Sequence, residues 1–349
     1  MVIVFYISGH GFGHASRDIE LIRELCAQRA DARVIVRTSV PRWLFAPLAG
    51  ATVQVQALET DTGVVQRDSL TLDEDETARQ AVRFFAGFAR RVAVEAELIR
   101  GVGADLVAGD IPPLACAAAE RAGVPSVAIA NFTWDWIYSI YPAFDRVAPD
   151  VIPAIRRAYA TATRGLRLPL HGGFEPMAAV TRDIPFIARR STRDPADTRR
   201  MLGLSGDRPV VLPSFGGYGA DLPLEALRRS ARFTLIEPVT EPPPGLRYQD
   251  LVAAADVVVS KPGYGIVSEC VANGTALLYT SRGRFIEYDL LVDEMPRMVR
   301  CRYLSHDDLF AGRWADAIDA LLAQPAPRER PAVDGAAVAA RELIAMAGA

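Results

Sequence analysis

Lysine is almost absent from this 349-residue chain, in which Lys261 stands alone beside 38 arginines. The formal net charge is −3, so no surplus of positive charge suggests a nucleic-acid-binding protein. The four cysteines form no CxxC pair. We therefore expect reduced, structural thiols, and the composition gives no sign of a disulfide scaffold.

Long apolar runs are also missing. No run reaches the ~18–20 residues that a membrane span needs. The N-terminus has no basic segment of the kind that begins a signal peptide, and it opens directly on a strand-like run. These absences predict a cytoplasmic protein without a membrane span. Half of the residues are hydrophobic, which is enough for two α/β domains.

The N-terminal stretch combines a strand, a glycine turn and a helix. Val2–Ile7 is wholly apolar, as in a central parallel strand, and a helical pattern follows the turn from Ala15 to Arg29. The turn has glycines at 9, 11 and 13, which differs from the G-x-G-x-x-G fingerprint. The next strand ends in Arg37 and Thr38, where a dinucleotide-binding fold has an acid. A nicotinamide cofactor is therefore not expected, although Arg37 leaves a phosphorylated one as an alternative, and no other cofactor is predicted.

The same combination returns in the second half of the chain. The apolar residues 257–259 predict a buried strand, Gly263 and Gly265 loosen the turn, and a helix runs to Gly274. A helix N-terminus after such a turn binds anions, because its N–H groups have no partner within the helix. Lys261 lies in this turn, and a compact ammonium suits an anion site. The sequence therefore predicts a phosphate-binding turn.

Strands and helices alternate through both halves, which predicts an α/β protein with parallel sheets. Asp110 and Asn131 each follow a predicted strand, at the end where open parallel sheets bind ligands. A long helix is expected from about Thr77 to Arg100. The proline- and glycine-rich stretch from about Gly165 to Pro195 predicts the interdomain linker.

The motifs resemble those of GT-B glycosyltransferases. Residues 8–14 are similar to the first glycine loop of the UDP-N-acetylglucosamine transferases of peptidoglycan synthesis, and residues 215–220 resemble their second glycine loop. Residues 260–269 match the donor motif of that family. Residues 9–17 and the Lys261 turn also resemble the glycosyltransferase-like region of plant-type L-arabinokinases.

The resemblance implies two Rossmann-like parallel-sheet domains that face a cleft. We expect an N-terminal acceptor-side domain over residues 1–180 and a nucleotide-sugar-binding domain over residues 181–330. A C-terminal helix within residues 331–349 should cross back onto the N-terminal domain. In the related transferases the acid at the position of Glu269 binds the ribose hydroxyls. The donor sugar meets a polar pair that falls here at Glu287 and Tyr288, where the family has glutamines.

The predicted site follows from these motifs. The catalytic candidates are His14, as the base that takes a proton from the acceptor hydroxyl, and Asp110, with Asp135 as an alternative base. The expected acceptor-binding residues are His10, Asn131, Trp134 and Trp136. The expected donor-binding residues are Gly11, Gly13, Gly216, Gly217, Tyr218, Lys261, Gly263, Tyr264, Gly265, Glu269, Arg284, Glu287 and Tyr288.

Two of these assignments have structural alternatives. The aromatic residues Trp134, Trp136 and Tyr138 either form an acceptor platform or pack beneath a loop. His10 and His14 have the alternative of capping the turn or binding phosphate, and this alternative is favoured for His10.

The predicted function is transfer of a sugar from a nucleotide-diphosphate donor, most simply a UDP-sugar, to a hydroxyl of a small or lipid-linked acceptor. No Asp-x-Asp occurs at a predicted strand end, and Lys261 with a helix N-terminus could stabilise the departing diphosphate. No metal is therefore expected. The alternatives are a module that binds a nucleotide sugar without turnover, and a nucleotide-sugar epimerase or hydrolase on the same fold.

Overall fold

The structure is a computed structural model that describes residues 1–48, 50, 52–68, 70–204, 206–216, 219–238 and 241–348. The chain forms two compact units. The first comprises Met1–Val65, Leu72–Ile187 and Ala332–Ala349, and the second comprises Gln66–Thr71 and Ala188–Pro331. The N-terminal domain expected over residues 1–180 includes Gln66–Thr71, which in the structure belongs to the second unit.

The first unit contains a seven-stranded parallel sheet in the order β3-β2-β1-β4-β5-β6-β7. Its strands are β1 (Val2–Ile7), β2 (Arg33–Thr38), β3 (Val53–Ala57), β4 (Leu106–Asp110), β5 (Ser126–Phe132), β6 (Arg164–Gly172) and β7 (Thr181–Asp183). The central strands β1, β4 and β5 are buried almost throughout, because helices cover both faces of the sheet.

Helices connect these strands. They are α1 (Gly13–Gln28), α2 (Glu74–Ala86), α3 (Phe88–Gly101), α4 (Pro113–Ala122), α5 (Trp134–Tyr138), α6 (Pro142–Val147) and α7 (Val151–Tyr159), with 3₁₀ turns at Arg42–Leu48 and Glu175–Val180. The apolar faces of α3 and α4 pack on β1 and β4 around Val4, Ile99 and Val107. This packing fixes the carboxyl ends of β1, β4 and β5, where the polar residues described below are found.

The C-terminal helix α15 (Gly335–Ala347) belongs to the first unit and packs on α1. Its buried face includes Ala339, Ala340 and Leu343. Gly335 lets the start of α15 lie against the backbone of Pro185, since a Cβ there would lie 2.1 Å from the carbonyl oxygen of Pro185. The return of the last helix to the N-terminal domain, predicted from the sequence, is confirmed.

The second unit contains a five-stranded parallel sheet in the order β12-β11-β10-β8-β9. Its strands are β8 (Val210–Ser214), β9 (Thr234–Leu235), β10 (Val257–Ser260), β11 (Ala276–Tyr279) and β12 (Cys301–Tyr303). Its helices are α8 (Pro195–Met201), α9 (Leu224–Arg228), α10 (Tyr248–Ala254), α11 (Tyr264–Asn273), α12 (Ile286–Glu294), α13 (His306–Phe310) and α14 (Ala315–Leu322), with a 3₁₀ turn at Met295–Arg297. Val211, Val257, Leu278 and Trp314 are central to its core.

Two sequence predictions are wrong in detail. The helix expected from Thr77 to Arg100 is two helices, because Gly87 ends α2 and begins α3, and glycine is a poor helix former. The stretch taken as the interdomain linker contains β6 and β7. β6 accommodates Pro169 because its regular pairing with β5 is interrupted between Arg167 and Gly172, so the missing N–H is not required there.

Candidate functional site

The turn between β1 and α1 leaves the start of a helix accessible. Gly11 has φ +71°, a conformation that favours glycine, and a Cβ added at Gly11 or Gly13 would meet nothing within 4 Å. Phe12 precedes α1 and caps none of its N–H groups through a side chain. The turn therefore has both the open space and the unpaired N–H groups that suit polar or anionic ligand atoms.

His14, in the first turn of α1, is buried against Asp110 at the end of β4. Its Nδ1 lies 2.8 Å from Oδ1 of Asp110, a hydrogen-bond distance that requires a proton between the two atoms. Because Arg17 helps to keep Asp110 ionised, we assign that proton to Nδ1. The other ring nitrogen, Nε2, is then the one able to accept a proton.

Arg17, one helical turn after His14, completes a buried cluster. Its guanidinium donates from Nε and Nη2 to the two oxygens of Asp110, and from Nη1 to Oδ1 of Asn131 at 2.9 Å. Burial raises the pKa of the Asp110 carboxyl, but Arg17 and His14 together outweigh that effect, so the pKa lies below its ordinary value. Asn131 and Asp110 end neighbouring strands, so sheet topology brings them together.

A second carboxyl faces the same histidine. Asp61 accepts hydrogen bonds from Oγ of Ser8 at 3.0 Å and from Nε1 of Trp134 at 2.8 Å. Burial raises the pKa of Asp61 to about 6, with Ser8, the charge of His14 and Trp134 opposing that rise. Asp61 therefore changes charge close to neutral pH, in the immediate neighbourhood of the histidine.

A third carboxyl, that of Asp18, is buried beside the cluster. Asp18 follows Arg17 on α1 and is fully buried. Within the described part of the chain, neither of its oxygens has a hydrogen-bond partner. Burial and the negative charge of Asp110 raise the pKa of Asp18 well above its ordinary value, and Arg17 opposes them only in part. The protonated form of Asp18 is therefore favoured in the folded protein relative to an exposed aspartate.

The aromatic residues predicted at this site occupy different environments. Trp134 is buried, stacks on Tyr138 at a centroid distance of 5.6 Å, and contacts the edge of His10 at 5.4 Å. Trp136 is half-buried over Gly172, where a Cβ would lie 2.2 Å from its ring. Nδ1 of His10 accepts a hydrogen bond from the N–H of Val64 at 3.2 Å. Trp134 and Tyr138 are therefore packed in the interior, and the ring of His10 is held by Val64; the acceptor-binding roles of Trp134, Trp136 and His10 stay predictions.

Asp135, the alternative base, is buried beside Arg156. Nη1 of Arg156 lies 3.2 Å from its Oδ2. Burial raises the pKa of Asp135, with Thr133 and Arg156 opposing that rise. Asp135 forms an ion pair with Arg156, whereas Asp110 contacts His14 directly.

The second unit repeats the strand–turn–helix arrangement between β10 and α11. Gly263 precedes α11, caps it with no side chain, and has open space where a Cβ would be. Lys261 donates from Nζ to Oε1 of Gln66 at 3.3 Å. Burial and the charge of Arg282 lower the pKa of Lys261 to about 7, although Asp68 opposes them. Within the described residues, this ammonium has no ion pair with a carboxylate.

Glu269, the predicted ribose ligand, is buried and engaged by Arg189. Its Oε1 accepts from Nε of Arg189 at 2.6 Å, and Nη2 lies 2.5 Å away. The guanidinium of Arg189 also lies 5.1 Å from the ring centroid of Tyr248. The hydroxyl of Tyr248 is 2.5 Å from Oγ of Ser214, at the end of β8. Glu269 therefore belongs to an ion pair at the carboxyl edge of this sheet.

The remaining predicted donor-binding residues are spread around the same edge. Gly216 has φ +68°, with open space where a Cβ would be, whereas Gly217 and Tyr218 lie outside the described residues. Tyr264 and Gly265 form the first turn of α11, and Tyr264 is buried. Three residues precede or begin α12. They are Arg284, which is exposed, Glu287, which is buried, and Tyr288, which is half-buried.

Four residues that contact predicted site residues or lie beside them were not predicted from the sequence: Arg17, Asp61, Arg189 and Tyr248. Arg17 could have been found, because residues three apart on a helix lie on one face, and His14 is three positions earlier. Asp61 lies in a loop with no periodic pattern. Arg189 lies in the stretch taken as a linker, and its ion pair with Glu269 joins residues 80 positions apart.

Two further findings concern the whole described chain. No group of three or more histidine, cysteine, aspartate or glutamate side chains among the described residues is arranged to hold a metal ion. None of the described helices combines the length and the apolar character needed to cross a membrane.

Comparison with known proteins gives sequence relatives and structural neighbours, although no protein-family model matches the chain. The chain is 30% identical over 336 residues to an L-arabinokinase of Arabidopsis thaliana, which covers 91% of this chain and 32% of that protein. It is 31% identical over 224 residues to a UDP-N-acetylglucosamine–N-acetylmuramyl-(pentapeptide) pyrophosphoryl-undecaprenol N-acetylglucosamine transferase of Clavibacter michiganensis subsp. michiganensis, covering 57% of each. The chain thus spans about a third of the first relative and just over half of the second.

Among solved structures, the chain is similar to CalG4, the calicheamicin glycosyltransferase. The TM-score is 0.62 at 18% identity, and the match covers 99% of this chain and 98% of that one. At this identity the likeness concerns the fold. The GT-B fold and the resemblance to both families, predicted from the motifs, are confirmed.

Proposed function

We propose that this chain, which has the GT-B fold of glycosyltransferases, transfers a sugar from a nucleotide-diphosphate donor to a hydroxyl acceptor. The observation that carries the proposal is the buried cluster of His14, Asp110, Arg17 and Asn131. Asp110 holds the proton on Nδ1 and thereby leaves Nε2 as a base. This is the chemistry that activation of an acceptor hydroxyl requires.

In the proposed reaction, the acceptor oxygen attacks the anomeric carbon of the donor sugar, and the bond from that carbon to the diphosphate oxygen breaks. The acceptor proton passes to Nε2 of His14, and the nucleoside diphosphate leaves with the bonding electrons. The imidazolium that forms lies beside the ionised Asp110, which stabilises it. We propose that His14, as general base, accelerates the chemical step by ~10²–10⁴.

The departing diphosphate would bind at the turn before α11. The helix N-terminus has the equivalent of roughly +0.5 charge, and Lys261 adds an ammonium that is already mostly removed from water. A diphosphate near Lys261 would favour its charged form. UDP is the nucleotide we propose, because the name of the Clavibacter transferase identifies a UDP-linked donor. Acceptor identity, small or lipid-linked, and location in the cytoplasm remain proposals from the sequence.

A module that binds a nucleotide sugar without turnover is the second candidate. One observation favours it: the matched region is only about a third of the L-arabinokinase relative, so this part need not carry that protein's named activity. The two candidates differ in whether the bond between sugar and diphosphate is broken.

The test is incubation of the purified protein with a panel of UDP-sugars, with water or simple alcohols as acceptor, while UDP release and donor identity are followed. We expect binding, seen as a thermal shift that corresponds to about 2.7 kcal/mol at 100 times the dissociation constant. We also expect slow UDP release that depends on His14. Tight binding with an unchanged donor would support the binding module, and an isomerised donor would support an epimerase.

A further inference from the structure

A short segment of the chain belongs to a different unit from the residues on either side of it. Gln66–Thr71 is part of the second unit, whereas Met1–Val65 and Leu72–Ile187 are part of the first. We call residues 66–68, 70 and 71 the strap; Ser69 is not described. The ends of the strap are closed by a hydrogen bond from the N–H of Asp73 to the carbonyl oxygen of Val65 at 2.9 Å.

The strap is folded and anchored. Oδ1 of Asp68 accepts from the N–H groups of Leu70 at 2.7 Å and Thr71 at 2.9 Å, which closes a turn. The side chain of Leu70 packs on the hydrophobic core of the second unit. Its carbonyl oxygen accepts from the N–H of Gly283 at 2.7 Å. Gly283 lies between β11 and α12, beside the predicted donor-binding residue Arg284.

The strap also contacts Lys261. Oε1 of Gln66 accepts the hydrogen bond from Nζ of Lys261 at 3.3 Å, longer than the 2.7–2.9 Å typical of charge-assisted bonds. The carboxylate of Asp68 interacts electrostatically with the same ammonium, since each side chain moves the pKa of the other toward the charged form. Lys261 thus has a carbonyl oxygen at hydrogen-bond distance and is influenced by the negative charge of Asp68.

We propose that the strap competes with the donor diphosphate for Lys261. Gln66 and Asp68 supply the ammonium with an oxygen and a negative charge until a nucleoside diphosphate replaces them. The proposal rests on the proposed function, because it takes Lys261 as the diphosphate ligand. The long Gln66 bond makes the strap a weak competitor for the ammonium, which a diphosphate with two charged groups can displace.

Removing the competitor should tighten binding, because the apparent dissociation constant falls as the fraction of protein with an accessible Lys261 rises. The measurement is the dissociation constant of UDP by calorimetry. We expect Gln66→Ala to bind UDP about three- to tenfold more tightly than wild type, as loss of one weak hydrogen bond implies. Gln66→Ala leaves the Asp68 turn in place, so folding of the strap is kept. Asp68→Asn should act in the same direction.

The matched control is Asp207→Asn, which changes an exposed acid to its amide elsewhere in the same unit. It should leave UDP affinity unchanged. As a second measurement, hydrogen exchange at the amides of Leu70 and Gly283 should speed up when UDP binds, since withdrawal of the strap exposes them.

The outcomes separate two failures. One result is that Lys261→Ala weakens UDP binding and Gln66→Ala weakens UDP binding too. The strap would then be part of the donor site, and the competition proposal would be overturned while the proposed function stands. Slower exchange at Leu70 and Gly283 on UDP binding would overturn it in the same way. If Lys261→Ala leaves UDP binding unchanged, or if wild type binds no UDP, the donor-site assignment falls, and the strap proposal with it.

Discussion

The two glycine turns of this chain differ in how their charged side chains are paired. In the first unit, Asp110 is bound by Arg17 and by His14 at 2.8 Å, and every member of that cluster is buried. In the second unit, Lys261 has one amide oxygen at 3.3 Å, and its pKa falls to about 7. The charged groups after the first turn are paired with one another, whereas the ammonium in the second turn has a long hydrogen bond to an amide oxygen.

This difference distinguishes a base that is oriented before the ligand binds from a cation that is stabilised when the ligand binds. A hydrogen-bonded cluster keeps a base in one tautomer and one orientation before any ligand arrives, so the chemical step needs no reorganisation there. A half-buried ammonium with a lowered pKa gains most when an anion binds beside it. We therefore expect the first turn to govern rate and the second to govern affinity.

The largest effect should come from removing the base. His14→Ala should lower turnover of a UDP-sugar by ~10²–10⁴ while leaving the dissociation constant of UDP within a few-fold. Steady-state kinetics and calorimetry on the same preparation measure both quantities. Partial rescue of turnover by added imidazole would identify a lost base rather than a disturbed fold.

Loss of UDP binding in His14→Ala would break the comparison, because His14 would then act on affinity. Full turnover in the variant would place the base elsewhere, with Asp61 the next candidate, since its pKa is about 6 and it faces the same histidine.

The second prediction concerns Asp18, a buried carboxyl beside the first cluster whose pKa is raised. Its raised pKa means that the folded state keeps a proton that the unfolded chain loses above about pH 4. The Asp18 contribution to the free energy of unfolding therefore decreases as pH rises from about 4 toward the folded-state pKa, by at most about 1.4 kcal/mol per pH unit. Asp18→Asn lacks this titration.

Urea unfolding of wild type and Asp18→Asn at several pH values between 5 and 7.5 measures that difference. We expect the variant to become more stable relative to wild type as pH rises, and Asp207→Asn to show no such trend. A variant that loses stability relative to wild type with rising pH would mean that Asp18 is ionised and needed as a charge.

The third prediction concerns the cation of the second turn. Lys261→Ala should weaken UDP binding by about 10- to 150-fold, the range expected for a hydrogen bond to a charged group. Lys261→Arg should restore it only in part, because a planar guanidinium does not fit a pocket shaped for an ammonium. Arg229→Ala removes an exposed cation paired with Glu225 and should change affinity by less than about twofold. Equal binding by Lys261→Ala and wild type would remove the donor-site assignment.

The sequence predicted the parts of the molecule that depend on local pattern. Apolar strands followed by glycine turns identified both sheets, whereas the return of the last helix onto the first unit was implied by the resemblance to GT-B glycosyltransferases. The strand β6 was not predicted, because Pro169 and the glycines around it are typical of loops. Its pairing with β5 and β7 makes this segment a strand.

The site was predicted less completely, for the same reason. His14, Asp110 and Asn131 follow strands or a glycine turn, so their position at one sheet edge could be inferred. The pairing of Glu269 with Arg189 and the contact of Gln66 with Lys261 join distant parts of the chain and have no local signature. The assignment of Glu269 to ribose remains a prediction, to be tested by comparing UDP with its deoxyribose analogue.

The smallest effect is a pH dependence of donor affinity, and it applies to Lys261 alone. Above pH 7 the ammonium is increasingly neutral in the ligand-free protein, whereas a bound diphosphate favours its charged form, so binding must take up a proton. UDP affinity should therefore fall as pH rises from 7 to 9, by at most about tenfold per pH unit. The groups that face Lys261 are Gln66, Asp68 and Arg282, none of which changes charge in this range. Lys261→Arg stays charged and should give a flatter profile in the same calorimetric series. A flat profile for wild type, or equal slopes for both proteins, would mean that the ammonium is already charged before the donor binds.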